Sequence, residues 1–325
     1  FVKEHLGLSV EFLAALGFWA GLPYAVKMVV GHAVDLAWRW KEALIFLGAA
    51  LLAASMLIMI GLLANPAAMR AVMPAESWFV LASMLAPIGY MVQDVVADAM
   101  TVEAVPHKDA EGRDIPAGEV RAMHTTMQTL GRVAIIGGTV LVALANVFLM
   151  QGVQKLPEPQ KVAAYLHVYE WALVIPAISV AGVVLQAWLR WRNPSQYARG
   201  ASERPPVNWW ILGGGLAFTV VSLSVGLGNV KYGQEIIFSA SLGIVLFLML
   251  RLVKELTPDA RATLIGTALV VFVFRATPGP GAGATWWMID VLKFDQEFLA
   301  HLSLVGSTLT LAGLFAFRRF MAERS

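Results

Sequence analysis

Gly89-Tyr-Met-Val-Gln-Asp-Val-Val-Ala-Asp-Ala-Met-Thr-Val-Glu-Ala-Val-Pro106 is the stretch on which the reading of the chain turns. It continues an apolar run that opens near Trp78, so it reads as a membrane-spanning helix. Two carboxylates, Asp94 and Asp98, sit inside it at i and i+4 and share one helix face. A charge in hydrocarbon costs at least ~2.5–3.5 kcal/mol even on the lenient insertion scale. Two on one face require partners elsewhere in the chain.

The composition around this stretch is that of an integral membrane protein. Hydrophobic residues make up 58% of the 325 and charged residues 14%, with mean hydropathy +0.68. A soluble domain is nearer ~45–50% apolar and ~25% charged. The absence of cysteine excludes disulfides, thiolate chemistry and Cys-based metal sites. The net charge of +2 says little, because in a membrane protein the placement of charges matters more than their sum. Phe1 is not an initiator residue and no signal peptide precedes the first span. The chain is therefore expected to be a portion of a longer protein.

A span needs ~20 mostly apolar residues. Nine stretches qualify: 10–33, 42–64, 77–102, 120–149, 167–189, 208–228, 234–252, 261–287 and 298–317. Polar, Pro- or Gly-containing loops such as Asn65-Pro66, Gln151–Gln160 and Asn193–Asn208 separate them. The expected class is an all-α membrane protein. Its expected organisation is an N-terminal half over 1–192, a basic cytoplasmic linker over 193–207, a two-helix insertion over 208–256 and the start of a C-terminal half over 257–325.

Lys and Arg set the orientation. With the loop after the first span taken as cytoplasmic, fifteen of the 24 cations fall at cytoplasmic ends, six on the opposite side and three inside spans. Phe1 is then outside and Ser325 cytoplasmic, in a cell (plasma or inner) membrane. Residues 1–16 also align without gaps to residues 287–302, both containing Glu-Phe-Leu-Ala and both placing a capping residue, Ser9 or Asp295, before the next helix. Eight spans lie between the copies, so both face the same side. Repeats in one orientation suit a transporter built of two parallel halves.

Gly31-x-x-x-Asp35 with Arg39 and Lys41 ends the first span, and looks like the loop signature of the major facilitator superfamily. A plain Asp near a helix end beside solvated basic residues accounts for it equally well. The wider pattern is more specific. Gly21-Leu-Pro-Tyr-Ala-Val-Lys27, then Gln93-Asp-Val-Val-Ala-Asp-Ala-x-x-x-Glu103, resembles the folate-biopterin transporter family of that superfamily. So do Phe274-Arg-Ala-Thr-Pro278, the run Leu292-x-Phe294-x-x-Glu-Phe-Leu299, and Gly313. The resemblance covers the first five and last two spans and implies a major-facilitator-type helical bundle. It also implies that the family's first helix and last helices lie beyond the two ends of this chain. The family's Pro-Trp is Pro23-Tyr24 here and its Lys-Pro is Lys27-Met28, and two additional spans sit between the halves. The related muropeptide permeases share the Leu-Pro-Tyr, the Lys and the Gln-Asp-x-x-x-Asp-Ala pattern, and also carry extra central helices. The two families leave the substrate open.

Depth argues independently. Lys27 lies eight residues before Asp35 and Asp98 eight before Pro106, each ~12 Å in from its cytoplasmic marker. Asp94 and Arg132 each lie twelve residues in, or ~18 Å. The expected pairs are Lys27 with Asp98 and Arg132 with Asp94. They form either a static network that holds the bundle or a substrate or proton site. Arg275 is the third cation within a span, ahead of Thr277-Pro-Gly-Pro-Gly-Ala-Gly283. Pro278 and Pro280 should break that helix, and a broken helix carrying a charge near the midplane points to a transporter site. A short loop with Arg275 reaching toward an edge is the plainer reading.

The six histidines lack metal-ligand spacing, and Glu103 and Asp290 near span ends read as wetted residues. Trp209 and Trp210 read as interfacial anchors. Gly213-Gly-Gly215 and Gly137-Gly138 read as close-packing positions rather than phosphate loops. No Walker A sequence is present. No cofactor, metal or nucleic acid is expected.

The leading function is a secondary transporter that rocks two halves about a central site. The resemblance implies folate- or pterin-like solutes with proton coupling; the alternative is a sugar-peptide permease. A pterin's amino-pyrimidine edge offers paired donors to Asp94 or Asp98, and a folate's glutamate tail suits Arg275. Burial disfavours the charged form of a carboxylate, a property that a proton carrier needs. A Mg-dependent transferase would want several carboxylates at a wet rim, usually in two clusters. Here one pair lies deep with cations as neighbours, so an enzyme is not expected. A non-transporting receptor on the same fold is a further class, set apart by absence of flux.

Overall fold

The computed structural model describes residues 16, 17, 20–24, 26–106, 108, 109, 111–192, 207–228, 230–254, 256–277 and 281–324. Every regular element among them is helical, apart from one isolated bridge between Lys108 and Asp114. Helices suit such apolar sequences because a membrane-spanning segment must satisfy its own backbone polar groups.

In chain order the helices are α1 (Lys27–Leu36), α2 (Lys41–Ala64), α3 (Pro66–Val72), α4 (Ala75–Glu103), α5 (Ala117–Met150), α6 (Glu158–Ala172) and α7 (Val174–Arg192). They continue as α8 (Trp209–Leu227), α9 (Gly233–Lys254), α10 (Pro258–Ala276), α11 (Gly281–Asp290) and α12 (Gln296–Arg324). Short 3-10 turns at Trp38–Trp40 and Val153–Lys155 lead into α2 and α6.

Six stretches of the described residues are long and apolar enough to cross a membrane: Trp38–Ala64, Ala75–Glu103, Ala117–Met150, Pro159–Arg192, Gly233–Arg251 and Glu297–Phe317. This corrects the expected nine. The stretch 10–33 lies partly outside the described residues, and its described part is helical over 20–24 and again from Lys27, where the ten-residue helix α1 begins, so no described helix there is long enough to be a span. The stretch 208–228 forms α8, whose apolar part is shorter than a full span. The stretch 261–287 is divided into α10 and α11. Pro278 and Pro280 lie outside the described residues, as do all but Leu16 of the first repeat copy and all but Val207 of the linker.

Local chemistry explains several boundaries. Asn65 caps α3, its side-chain carbonyl accepting from the Ala68 N–H at 3.2 Å, and Pro66 occupies the first turn, where its missing N–H is harmless. The sequence pattern at Asn65-Pro66 predicts only a loop here, because seven residues are too few to show a helical period. The break between α6 and α7 falls at Leu173, three residues before Pro176, which has no N–H to continue the ladder. Asp295 caps α12 as expected, accepting from the Phe298 N–H at 2.7 Å.

α4 is the hub. It packs along α2, crosses α1 and touches α5, while α2 also carries α6 and α7 on its other sides. One apolar cluster joins Met59 and Leu62 of α2 to Ala75, Phe79 and Ala82 of α4. A second joins Val34 of α1 to Met91, Val95 and Val96 of α4. α2 and α4 meet at Gly48 and Gly89. A Cβ at Gly89 would lie 2.6 Å from the Gly48 carbonyl oxygen, and one at Gly48 would lie 2.7 Å from that of Gly89. Only glycine on both sides permits that approach.

α8 leans on α1 and α9 in the same way. A Cβ at Gly215 would come within 2.4 Å of Val29, and one at Gly214 within 2.9 Å of Leu248. The close-packing reading of 213–215 therefore holds at two of its three glycines. Gly137 and Gly138 face open space, so no packing contact requires them.

Candidate functional site

The site forms where α1 crosses α4. A turn closed by the Val26 N–H on the Pro23 carbonyl precedes α1, and Lys27 is its first residue. A cation at a helix N-terminus opposes the helix dipole and needs a compensating anion. Two are present. The Lys27 ammonium donates to Asp94 Oδ2 at 2.7 Å and to Asp98 Oδ2 at 2.7 Å. The carboxylates belong to successive turns of α4, so a single lysine bridges both steps of the acidic face.

Gln93 sets the rotation of α4 that presents this face. Its Nε2 donates to the Ile45 carbonyl of α2 at 3.1 Å, and its Oε1 accepts from Ser179 Oγ of α7 at 3.4 Å. With Gln93 held on that side, the next residue, Asp94, is turned to α1. Tyr90 precedes Asp94 by one turn on the same stripe, and its ring meets that of Tyr24 at 6.2 Å between centroids. The aromatic pair borders the ion pairs on the side away from Asp98. The lysine and the two aspartates differ in access: 21% of the Asp94 side chain is exposed, against 38% for Lys27 and 66% for Asp98. Asp98 is the carboxylate that an incoming group reaches first.

The expected pairing of Lys27 with Asp98 is formed, and Asp94 joins it. The expected pairing of Arg132 with Asp94 is not. Arg132 is exposed on α5 and makes no ion pair among the described residues, while Lys27 takes the partner assigned to it. Equal rise along two helices fixes a level but not the angle around each axis. Of the loop motif, Asp35 and Arg39 are both exposed and form no ion pair among the described residues; the Arg39 guanidinium lies 5.2 Å from the Trp40 ring centroid instead. A Cβ at Gly31 would sit 3.9 Å from Val95, an ordinary contact. Arg275 lies in the last turn of α10, and its side chain is outside the described residues.

A second charged cluster, missed in the sequence, joins the ends of three helices. Lys41 opens α2 as Lys27 opens α1, and pairs with Glu103 at the end of α4. The Lys41 ammonium also lies 4.3 Å from the Trp38 ring centroid, and Trp38 Nε1 donates to Glu103 Oε1 at 3.1 Å. Next to it, Arg190 of α7 pairs with Glu42 of α2. Glu103 is thus a bonded residue rather than a merely wetted one. The available signal was a carboxylate at the end of one span at the level of a Lys-Glu pair opening its neighbour.

Beyond α4 the connection to α5 is a tight loop built on Asp109. Its Oδ1 accepts from the backbone N–H groups of Arg113 at 2.8 Å and Glu111 at 3.0 Å, and its Oδ2 from Arg113 Nε at 2.8 Å. Gly112 supplies the positive φ of 80° that the turn requires. Chiefly through the Arg113 N–H, this loop holds the Asp109 carboxyl below its ordinary range.

No group of three or more His, Asp or Glu suited to a metal ion occurs among the described residues. Fold and site together define an all-helical chain of multi-pass membrane character, with a lysine held between two carboxylates where two helices cross. No family model, curated protein or solved structure matches it.

Proposed function

We propose that this chain is a secondary active transporter of organic solutes, of the major-facilitator type. It sits in the cell membrane with Phe1 outside and Ser325 cytoplasmic, and proton binding at the α1–α4 crossing is coupled to solute movement. The observation that carries this reading is the bridge from Lys27 to both Asp94 and Asp98 at 2.7 Å. One ammonium against two carboxylates leaves one negative charge in excess. A single proton or a cationic solute edge removes that excess, and a neutral donor-rich edge can hydrogen-bond the carboxylate that keeps it. Proton and solute can occupy different carboxylates of the cluster at once, which is the linkage that symport requires.

The sequence resemblance points to folate- or pterin-like solutes. An amino-pyrimidine edge gives two parallel donors to one carboxylate, and Asp98 is the more accessible acceptor. Lys27 then remains with Asp94. The Arg275 guanidinium, ahead of the α10–α11 break, is assigned the anionic tail of the solute. Alternating access follows if α10–α12 and the α1–α7 group move as two bodies about this centre.

The test is solute flux in liposomes containing the full-length protein. Labelled folate and a simple pterin should enter faster with an imposed proton gradient. Asp98→Asn should lose the response to that gradient by at least tenfold. Arg275→Ala should weaken folate uptake far more than pterin uptake. Absence of saturable flux for both solutes, or full gradient-driven uptake in Asp98→Asn, would overturn the proposal. Flux of an anhydromuropeptide in its place would keep the transporter and replace the solute class.

A further inference from the structure

Among the described residues, α8 and α9 supply no ion-pair partner to Lys27, Asp94 or Asp98, and they carry a binding feature of their own. They run antiparallel with a short connection between Leu227 and Gly233, so the first turn of α8 and the last turn of α9 lie at one end. Between them an open cleft of about 550 Å³ is floored by Gly213, Gly214 and Gly243 and walled by Trp209, Ile244 and Phe247. That volume falls within the ~300–1,000 Å³ usual for small-molecule sites. Its lining is almost wholly apolar, which suits hydrocarbon and not a polar solute.

The cleft ends at a fixed cation. The Arg251 guanidinium lies 4.0 Å from the ring centroid of Trp210, and the Trp210 ring meets Phe247 at 5.8 Å. Arg251 and Lys254 follow each other at i and i+3 on α9, and neither makes an ion pair among the described residues. Trp209 and Trp210 mark the depth at which aromatic side chains sit among lipid headgroups. From Arg251 back to Gly243 is eight residues, or ~12 Å of apolar groove running from that depth toward the bilayer core. A ligand matching this shape has an anionic head and a hydrocarbon tail of at least that length.

We propose that the α8–α9 cleft binds one anionic phospholipid, with an acyl chain along Gly213, Gly214 and Gly243 and the phosphate on Arg251. The proposal rests on the membrane character of these helices and not on the transport reading. It assigns a role to a helix pair that packs on α1 through Gly215 and through the Asn208 N–H, which donates to His32 Nε2 at 2.8 Å.

Native mass spectrometry of the detergent-solubilised full-length protein tests it, with palmitoyl-oleoyl phosphatidylglycerol and the matching phosphatidylcholine as probes. The wild-type protein should bind the first phosphatidylglycerol more tightly than the first phosphatidylcholine. Arg251→Gln should lower phosphatidylglycerol affinity about fivefold and phosphatidylcholine affinity less, because the choline cation already offsets the phosphate charge there. Gly213→Leu and Gly243→Leu fill the groove from positions where a Cβ meets no atom within 4 Å, so neither should disturb folding. Each should lower affinity for both lipids. Equal affinity for the two lipids, or unchanged phosphatidylglycerol binding in Arg251→Gln, would overturn the headgroup assignment. Unchanged binding in both leucine variants would overturn the cleft as the site of the chain.

Discussion

Lys27, Asp94 and Asp98 are unequal members of one cluster, and their loss should be unequal too. Removing Lys27 leaves two carboxylates one helical turn apart, each repelled by the other, with Asp94 the more enclosed of the two. Lys27→Met should therefore destabilise by about 1–3 kcal/mol, chiefly through the unpaired Asp94 carboxylate. Asp94→Asn should cost less, since the amide oxygen still accepts from Lys27. Asp98→Asn should cost least, because 66% of its side chain is exposed and Asp94 keeps the lysine. Thermal melts in detergent that returned the reverse order would contradict the geometry. Asp109 allows a pH prediction outside the spans. Its folded carboxyl is held below the ordinary range by the Arg113 N–H, so its contribution is fully present above the unfolded value, ~3.9. The contribution is lost as pH falls through the lower folded value. Amide exchange at Glu111 and Arg113 should accelerate relative to other loops below about pH 4. Asp109→Asn should show no such step. At this scale the site was half legible. The acidic pair and Lys27 stood out because charge in an apolar run is rare and expensive. Arg132 was misassigned because rise gives depth and nothing about azimuth. Tyr90 was overlooked, although its i−4 spacing to Asp94 places it on the same stripe.

Elements show where small residues matter and where they do not. The α2–α4 crossing brings Gly48 and Gly89 so close that an added Cβ meets backbone, which cannot rotate aside. Gly89→Ala should push the helices apart and cost about 1–3 kcal/mol, in the range for overpacking a close contact. It should also weaken the Gln93–Ile45 bond, which lies one turn farther along the same interface. Gly137→Ala faces open space within α5 and should be neutral or gain up to about 1 kcal/mol from helix propensity. Paired melting curves for the two variants check both signs. Glycine spacing alone could not separate these positions, because Gly137-Gly138 and Gly213–Gly215 look alike until the neighbouring helix is known. The long spans were legible for the opposite reason. The long apolar runs within α2, α4 and α5 need no partner to be recognised. α3 was hidden by its shortness, since seven residues carry no periodicity, although Asn65-Pro66 is a helix-start signal.

Across the molecule, α4 collects the charges of its neighbours at two levels. Lys27 from the start of α1 meets Asp94 and Asp98, and Lys41 from the start of α2 meets Glu103 farther along. The second contact ties the ends of α2 and α4 beside the Arg190–Glu42 pair, which brings in α7. Movement of α4 relative to α2 would have to break the Lys41–Glu103 link, so its strength bears on how the bundle opens. Lys41 is almost wholly enclosed, with 6% of its side chain exposed, while Glu103 is 45% exposed. The asymmetry decides which single substitution hurts more. Glu103→Gln leaves an enclosed ammonium without its counter-charge; Lys41→Met leaves a carboxylate that water can still reach and that keeps the Trp38 donor. Glu103→Gln should be the more destabilising single change, and the double variant should recover part of the loss, because an apolar side chain then fills the enclosed volume. A double-mutant cycle by thermal or denaturant unfolding should give a coupling of about 0.5–3 kcal/mol. Additive single effects would mean that the two ends are held by apolar packing of α2 on α4 alone. The lysine would then be a passenger at the helix start, and separation of the two helices would meet no electrostatic resistance there.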